Sequence, residues 1–364
     1  MKKLRVGIIF GGRSSEHPIS LASATSIVSA IDRSKYQAVP IGITPQGRWL
    51  PPAQAQRMLR ADNRRPSREE PTTALARRTQ RPHTLEGLSQ EQRLDVVFPV
   101  LHGPYGEDGT IQGLLELMDM PYVGAGVLAS AIGMDKALQK ALFRQHSLPV
   151  VDYLVFLRRR WETDPEAVIS QIEQRLSYPC FVKPSNLGSS IGVTKAHSPE
   201  ELISALKDAA QYDRKLLVER AIEGRELECS VLGNDEPIAS PVGEILPARE
   251  FYDYEAKYDD QRTQLVIPAD LPREVSEEVR RLALEAFKAI DCAGMARVDF
   301  FYDPKENRIY INELNTIPGF TQVSMYPKLW QFAGMSYAEL IDRLIQLALE
   351  RHQDKARNRK APDQ

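Results

Sequence analysis

The chain has 364 residues, of which 42% are hydrophobic, so it is long enough for two or three domains with apolar cores. Lys and Arg total 47 and Asp and Glu total 49, and the resulting net charge of −2 gives no reason to expect nucleic acid or an anionic membrane as the main partner. The three cysteines, Cys180, Cys229 and Cys292, are far apart and form no CxxC pair, which argues against a zinc site or a disulfide framework.

The N-terminal segment MKKLRVGIIFGG does not have the pattern of a signal peptide. Its apolar run is short and leads directly into a glycine turn, with no small-residue cleavage pattern. No apolar stretch reaches the roughly 18 residues that a membrane span needs. We therefore expect a protein of the reducing cytoplasm with no membrane partner.

The first unit, residues 1–133, is predicted to be an α/β domain with a parallel sheet. Apolar strands are expected at residues 4–10, 36–43 and 95–101, and a helix is expected at residues 20–31. Strands that alternate with helices favour this fold class. Residues 51–93 are rich in Arg, Pro, Gln and Thr, and we interpret them as a surface insertion. A polyanion-binding arm is the alternative, but no aromatic residue interleaves the arginines.

Two further units are predicted, at residues 134–223 and 224–350, and both mix helices with short strands. In the first, helices are expected at residues 136–145, 165–176 and 199–210, and strands at residues 180–183, 191–196 and 216–219. In the second, strands are expected at residues 227–232 and 238–242, and an amphipathic helix at residues 280–290. The charged tail, residues 351–364, has no apolar pattern and is expected to be disordered.

The loop after the first strand carries a candidate binding residue, Glu16. The preceding segment differs from a P-loop because Arg13 stands in place of the lysine and Gly7 falls inside the strand. No GxGxxG motif is present either, which removes the main support for a dinucleotide fold. Ligands nevertheless bind at the carboxyl edge of a parallel sheet, where this loop lies. A carboxylate that simply favours the start of a helix is an equally weighted alternative.

Two glycine-rich loops are further candidates. The segment HGPYGEDG, which begins at His102, has three glycines and three titratable side chains, more than a simple turn needs. The segment KPSNLGSSIG, which begins at Lys183, has small residues whose backbone N–H groups can approach phosphate oxygens, and its lysine supplies a positive charge. An ordinary solvent-exposed hairpin remains an equal alternative for the second loop.

The most specific pattern is a predicted antiparallel hairpin formed by ARVDFF and RIYINELN. Alternate residues of a strand share a face, so Arg297 lies beside Asp299, and Glu313 beside Asn315. If the two faces align, Asp299, Glu313 and Asn315 converge as oxygen ligands of the kind Mg²⁺ prefers, with nucleotide phosphates completing its coordination. Charges on a solvent-facing hairpin are the alternative, but they explain less well why NTIPG follows directly, ending at Gly319.

The segment FYDYEAKY, residues 251–258, contains three tyrosines and a lysine without clear periodicity. Aromatic-rich connections of this kind are often lids over an active site. A loop packed on the core is the alternative.

Taken in this order, the segments resemble the D-alanine–D-alanine ligases of the ATP-grasp type. The matching motifs are GGRSSEHPIS, HGPYGEDG, MDK, VKPSNLGSSIGV, FYDYEAKY, ARVDFF and NELNTIPGFT. They run from about Val6 to about Leu344, and their joint order is far more specific than any one of them. No motif position departs from the family pattern.

The resemblance implies a three-domain ATP-grasp fold, with ATP between the central and C-terminal units. It implies ligation of two D-alanine molecules through a D-alanyl phosphate, for peptidoglycan precursor synthesis. The implied cofactors are ATP and two Mg²⁺ or Mn²⁺ ions per site, with a monovalent cation as an optional addition. D-alanine is implied as both substrates and a homodimer as the assembly.

The resemblance also implies roles toward the first substrate. Glu16 would bind its ammonium group and would connect through Ser189 to Tyr258. His102 would lie near its carboxylate, and Lys257 would reach the γ-phosphate of ATP.

For the second half of the reaction, Arg297 and the backbone N–H of Gly319 would face the developing oxyanion. Ser324 and the adjacent Met325 would bind the second substrate. The implied nucleotide ligands are Lys136, Lys183 and Ser190 for the phosphates and Glu219 and Glu226 for the adenine amino and ribose hydroxyl groups. The implied metal ligands are Asp299, Glu313 and Asn315.

Three other functions stay open from the sequence alone. A D-alanine–D-lactate ligase, or another ATP-grasp ligase of a carboxylate and an amine, would have similar motifs. A nucleotide-binding regulator without turnover is expected to have lost a metal ligand or Arg297, and neither is lost here. An RNA-binding protein would depend on the arginine-rich insertion alone.

Overall fold

The computed structural model describes residues 2–62, 93–246 and 263–358. Three separate sheets organise this part of the chain, with four, four and five strands. Within these residues, no helix combines the length and the apolar character that crossing a bilayer requires.

The N-terminal sheet has the strand order β3-β2-β1-β4. Its strands are β1 (Leu4–Gly11), β2 (Tyr36–Ile43), β3 (Trp49–Leu50) and β4 (Val96–Val100). Strand β1 pairs in parallel with both β2 and β4, as the sequence predicts, and the short β3 is antiparallel to β2. The helices of this region are α1 (His17–Ala30), α2 (Pro52–Asp62), α3 (Thr110–Leu117) and α4 (Val127–Met134).

Helix α2 corrects one expectation, because it lies in the segment interpreted as a solvated insertion. Ala55 and Leu59 are buried in the N-terminal core, and Met58 packs against that core. Their i, i+3, i+4 spacing gives the helix one apolar face, which the charged composition of the whole segment conceals. The remainder of the insertion, residues 63–92, lies outside the described residues.

The second sheet is antiparallel throughout, with the strand order β5-β8-β6-β7. The preceding helix is α5 (Lys136–Gln145), and the strands are β5 (Tyr153–Leu157), β6 (Cys180–Pro184), β7 (Thr194–Ala196) and β8 (Lys215–Arg220). Its helices are α6 (Arg158–Thr163), α7 (Pro165–Arg175) and α8 (Pro199–Tyr212). The side chains of Asp164 and Ser198 cap the N-termini of α7 and α8, which is why these helices begin where they do.

The third sheet is also antiparallel, with the strand order β11-β10-β9-β12-β13. Its strands are β9 (Arg225–Gly233), β10 (Ile238–Leu246), β11 (Gln264–Val266), β12 (Gly294–Asp303) and β13 (Arg308–Asn315). The helices of this region are α9 (Arg273–Ala289), α10 (Met325–Phe332) and α11 (Tyr337–Lys355).

Packing does not follow the predicted boundary at residue 134. Phe143 of α5 and Leu148 are buried in the core of the five-stranded sheet, together with Ala129 of α4. The apolar face of α5 therefore belongs with the C-terminal unit, although its sequence precedes the central sheet. The division at residue 224 stays a proposal.

Helix α11 corrects the expectation of a disordered tail. It continues to Lys355, so residues 351–355 are helical. The guanidinium of Arg351 lies over the ring of Tyr122 and donates to the Tyr122 carbonyl oxygen at 2.9 Å. These contacts with the N-terminal unit order a segment whose charge content alone suggests disorder. Residues 359–364 lie outside the described residues.

Candidate active site

Glu16 lies where loops from two units meet. The residue is 7% exposed, and the hydroxyl of Ser189 donates a hydrogen bond to its Oε1. A Cβ atom at Gly103 would lie 2.6 Å from the Glu16 carboxylate, and one at Gly188 would lie 2.9 Å from it. Only glycine at these two positions lets both loops approach so closely. The structure thus brings together Glu16 and Ser189, as the resemblance implies.

His102 is buried beside this carboxylate. Its Nδ1 is 3.1 Å from the carbonyl oxygen of Ile317, and its Nε2 is 3.2 Å from the hydroxyl of Ser23. Burial lowers the pKa of His102, but the nearby carboxylates of Glu107 and Glu16 outweigh that effect, so the pKa is raised. A raised pKa favours the imidazolium, which suits a place next to a substrate carboxylate.

Lys136 is held by the start of α5. Asp135 caps this helix: its Oδ1 accepts from the backbone N–H of Leu138 at 3.2 Å and from the Ser185 hydroxyl at 2.8 Å. The ammonium of Lys136 donates to the Leu187 carbonyl oxygen at 2.7 Å. These contacts join the start of α5 to both ends of the segment 185–187, which leads into the Gly/Ser loop.

Lys183 and Glu219 form the deepest part of the site. The ammonium of Lys183 is 2.5 Å from Oε2 of Glu219, and that of Lys140 is 2.8 Å from Oε1. Burial raises the pKa of Glu219, but the two lysines outweigh it and lower that pKa to about 2. Each carboxylate oxygen of Glu219 thus faces one ammonium group.

The hairpin of β12 and β13 has the predicted face alignment. Asp299 is directly opposite Glu313, and Arg297 is opposite Asn315. The amide of Asn315 donates to Asp299 at 3.0 Å, and Arg297 makes two bonds of 2.7 Å to the same carboxylate. On the other side, Asp299 is opposite Glu228 of β9. Three carboxylates thus lie in a row across three adjacent strands.

Cations in the site offset the repulsion within this row. Arg297 lies 3.2 Å from Glu228, and Lys136 lies 3.0 Å from Glu313. Burial lowers the pKa of Arg297, but Asp299 and Glu228 more than reverse the effect and raise it. Burial likewise lowers the pKa of Lys136, and Glu313 reverses it. Both cations therefore stay charged.

A β-bulge changes which side chains of β13 face the site. The pairing passes from Asp299–Glu313 to Phe300–Ile311, so Asn312 has no direct partner on β12. As a result, the consecutive residues Asn312 and Glu313 both line the same cavity. The strict alternation assumed from the sequence would have placed Asn312 on the opposite face.

These groups surround one cavity of about 480 Å³ between the central and C-terminal sheets. Its lining includes nine of the predicted site residues: Lys136, Lys183, Ser189, Ser190, Glu219, Glu226, Arg297, Asp299 and Glu313. The remaining described candidates, Glu16, His102, Asn315, Gly319, Ser324 and Met325, lie outside that lining. Of these, Glu16 is hydrogen-bonded to Ser189 of the lining, and Asn315 is hydrogen-bonded to Asp299 of the lining.

The segment after β13 carries the other candidates. A Cβ atom at Gly319 would lie 3.1 Å from the Ser324 hydroxyl, which accepts from the Thr321 backbone N–H at 3.1 Å. Ser324 immediately precedes α10, whose N-terminus favours an anion. Met325 is buried with Leu329, so any role in binding would depend on its backbone. Lys257 and Tyr258 lie outside the described residues.

Comparison with known proteins identifies the family. The chain matches the family descriptions "D-ala D-ala ligase N-terminus" over residues 5–125 and "D-ala D-ala ligase C-terminus" over residues 142–346. It is 52% identical to the D-alanine–D-alanine ligase of Halothermothrix orenii over 353 residues, which cover 96% of this chain and 99% of that protein. It is 51% identical to that of Chloroherpeton thalassium over 362 residues, 98% and 99% of the two chains. The chain belongs to the D-alanine–D-alanine ligase family.

Solved structures agree with this assignment. The D-alanine–D-alanine ligase from Coxiella burnetii superposes with a TM-score of 0.80 at 37% identity, covering 97% of each chain. The VanG D-Ala:D-Ser ligase from Enterococcus faecalis gives a TM-score of 0.79 at 34% identity, covering 95% of this chain and all of that one. These superpositions confirm the ATP-grasp architecture that the motifs of this D-alanine–D-alanine ligase family member predict.

The sequence did not predict several residues of this site. They are Asp135, Lys140, Lys215, Glu228 and Asn312. Lys215 contacts Asp135, and each of the others contacts a predicted site residue or its loop. Asp135 stands inside the quoted MDK motif, and Lys140 is one helical turn beyond Lys136, so both had a weak signal. Lys215, Glu228 and Asn312 depend on strand pairing between distant segments and had none.

The buried ion cluster generates a stability prediction for Glu219→Gln. We expect the free energy of unfolding to fall by roughly 3–5 kcal/mol at pH 7, because two buried lysines lose their counter-charge. The folded-state pKa of about 2 lies below the ordinary value of 4.5, so the stabilisation is present above pH 4.5 and is lost as the pH falls toward 2. Urea unfolding of both proteins across this range measures it.

The control is Glu236→Gln, at an exposed position in the turn after β9. Its stability should match that of the unmodified protein at every pH. If Glu219→Gln unfolds at the same urea concentration as this control, the buried cluster does not stabilise the fold as inferred.

Proposed function

We propose that this protein joins two molecules of D-alanine to D-alanyl-D-alanine and hydrolyses ATP to ADP and phosphate in the process. Ligases of this family use ATP, and the product is a precursor of peptidoglycan. The observation that carries the proposal is the continuity of the site. Lysines and carboxylates line a cavity of nucleotide size, and Ser189 joins that cavity to the buried Glu16.

In the first step, a carboxylate oxygen of the first D-alanine attacks the γ-phosphorus of ATP, and ADP leaves. Phosphorylation is needed because a carboxylate is a poor electrophile, whereas an acyl phosphate has a good leaving group. The carboxylate of Glu16 accepts hydrogen bonds from the substrate ammonium. The imidazolium of His102 attracts the substrate carboxylate. Lys136 and Lys183 neutralise phosphate charge, so the attacking carboxylate meets less repulsion.

In the second step, the neutral amine of the second D-alanine attacks the acyl carbon. The tetrahedral intermediate places negative charge on the former carbonyl oxygen. The attacking nitrogen loses one proton, and collapse of the intermediate expels phosphate. Arg297 and the backbone N–H of Gly319 stabilise this charge. Ser324, at the start of α10, binds the carboxylate of the second substrate.

A divalent cation fits the donor set at the hairpin. Asp299 and Glu313 supply carboxylate oxygens and Asn315 an amide oxygen, which are the hard ligands that Mg²⁺ and Mn²⁺ take. In the described part of the chain, no three His, Cys, Asp or Glu side chains are arranged to hold a metal by themselves. Two ions, with phosphate oxygens completing their coordination, would neutralise charge on the transferred phosphoryl group.

Lys257 and Tyr258 retain the roles that the family resemblance gives them, toward the γ-phosphate and toward Ser189. The proposal also keeps the cytoplasm as the compartment and a monovalent cation as an optional ligand.

The reaction itself is the first test. We expect ADP, phosphate and D-alanyl-D-alanine to appear together only when D-alanine is supplied with ATP and Mg²⁺, because the site phosphorylates one carboxylate and an amine then displaces the phosphate. Chromatography of the dipeptide alongside a coupled ADP assay measures both products. L-Alanine is the control, and equal turnover with L-alanine, or none with either, contradicts the proposal.

The metal site is tested with Glu313→Gln, which keeps the side-chain shape but removes the charge. Turnover should fall by about a hundredfold or more, the order expected when a charge clamp on the phosphates is lost. Arg308→Gln, at the exposed start of the same strand, is the control and should keep full turnover. Near-full activity of Glu313→Gln with Mg²⁺ would place the metal elsewhere.

A homodimer is supported by exposed apolar side chains on α3 and α4. Leu117 is 90% exposed and Leu128 is 59% exposed, and neighbouring Leu114 and Val127 are also exposed. Apolar side chains grouped on adjacent helices are typical of a protein interface. A second copy of the chain is the proposed occupant.

Sedimentation velocity tests this interface. The unmodified protein should sediment as a dimer at micromolar concentration, and Leu117→Lys should shift it to a monomer, because a charge cannot be buried there without a partner. Val155→Lys, at an exposed apolar position on β5, should leave the dimer intact. A Leu117→Lys protein that stays dimeric would rule out α3 as the contact.

A further inference from the structure

Lys140 is a buried lysine that takes no part in the proposed chemistry. It lies on α5, one turn after Lys136, and is 1% exposed. A lysine is retained at such a position only when its charge is paired and its donors are satisfied. Two groups meet this need: Oε1 of Glu219 at 2.8 Å and the backbone carbonyl oxygen of Asn312 at 2.9 Å.

The contact with Asn312 falls on the β-bulge of the metal-binding strand. Because Asn312 has no direct partner on β12, its carbonyl oxygen needs a donor from outside the ladder. The ammonium of Lys140 supplies that donor. The bulge is what turns Asn312 and Glu313 together into the cavity, so Lys140 stabilises the backbone shape that presents Glu313.

The contact with Glu219 falls at the other end of the cavity. Lys183 approaches one oxygen of this carboxylate from β6, and Lys140 approaches the other from α5. Lys183 also donates to the Asn312 side chain at 3.4 Å. The carboxylate thus has one defined orientation, with Oε1 held beside Lys140.

We propose that Lys140 is a positioning residue that fixes Glu219, the expected adenine ligand, and the strand bearing Glu313, the expected metal ligand, at a constant separation. The inference rests on the proposed function, because it assigns the two ends of the cavity to the base and the metal. Lys140 does not itself line the cavity. It acts through two neighbours, and its loss should affect nucleotide and metal together.

The deciding variant is Lys140→Met, which keeps most of the length of the side chain and removes its charge. We expect the KM for ATP and the Mg²⁺ concentration for half-maximal turnover each to rise about tenfold, while the KM for D-alanine stays within twofold. Preference for ATP over inosine triphosphate, which lacks the adenine amino group, should fall about tenfold. Lys140→Arg, which keeps a cation, should recover part of each loss.

Binding provides a readout that does not depend on turnover. Calorimetry with ADP should show about tenfold weaker binding to Lys140→Met without metal, and less tightening of that binding when Mg²⁺ is added. The matched control is Lys288→Met, an exposed lysine on α9, which should behave as the unmodified protein does.

ADP affinity and Mg²⁺ dependence within twofold of the unmodified protein would overturn the proposal. So would equal losses for ATP and D-alanine, since these indicate general damage. If Lys140→Met does not fold, Lys140→Gln is measured by the same calorimetry and decides in the same way. An unmodified protein that binds ADP but makes no dipeptide would refute the proposed function, and the ADP comparison would still decide the role of Lys140.

Discussion

Three charged side chains, Lys140, Lys183 and Glu219, are buried together where the central and C-terminal units meet, and they can be buried only as a group. Each charge alone would lose several kcal/mol of hydration in this interior. Together they fix α5, β6 and β8 relative to one another, because each residue comes from a different element. The cavity that we propose for the nucleotide lies beside this cluster.

The same requirement for neutralisation shapes the end of the cavity where we propose the metal site. Glu228, Asp299 and Glu313 lie in a row across three strands, and like charges directly opposite one another destabilise a sheet. Arg297 and Lys136 offset that repulsion in the described structure. The negative charge that remains in this row supports the divalent cations that we propose there.

The proposed substrate end of the site depends on contacts between units rather than on one domain. Glu16 comes from the N-terminal unit, Ser189 from the loop between β6 and β7, and His102 reaches Ile317 of the C-terminal unit. Helix α11 supports this arrangement, because Asp342 accepts from Tyr36 at 2.6 Å and Arg351 contacts Tyr122. The C-terminal helix therefore holds the first unit against the rest of the site.

The sequence by itself determined the local elements and the chemistry available at each loop. The parallel strands β1 and β2, the limits of α5 and the shared faces of the β12–β13 hairpin all followed from periodicity over a few residues. Tertiary structure decided what depends on distant partners. The bulge at Asn312, the burial of Lys140 and the helical course of residues 351–355 each result from contacts with segments far away in the chain. A short-range pattern contains no information on such contacts, because a bulge, a buried charge or an ordered charged segment is stable only when its partner is in place.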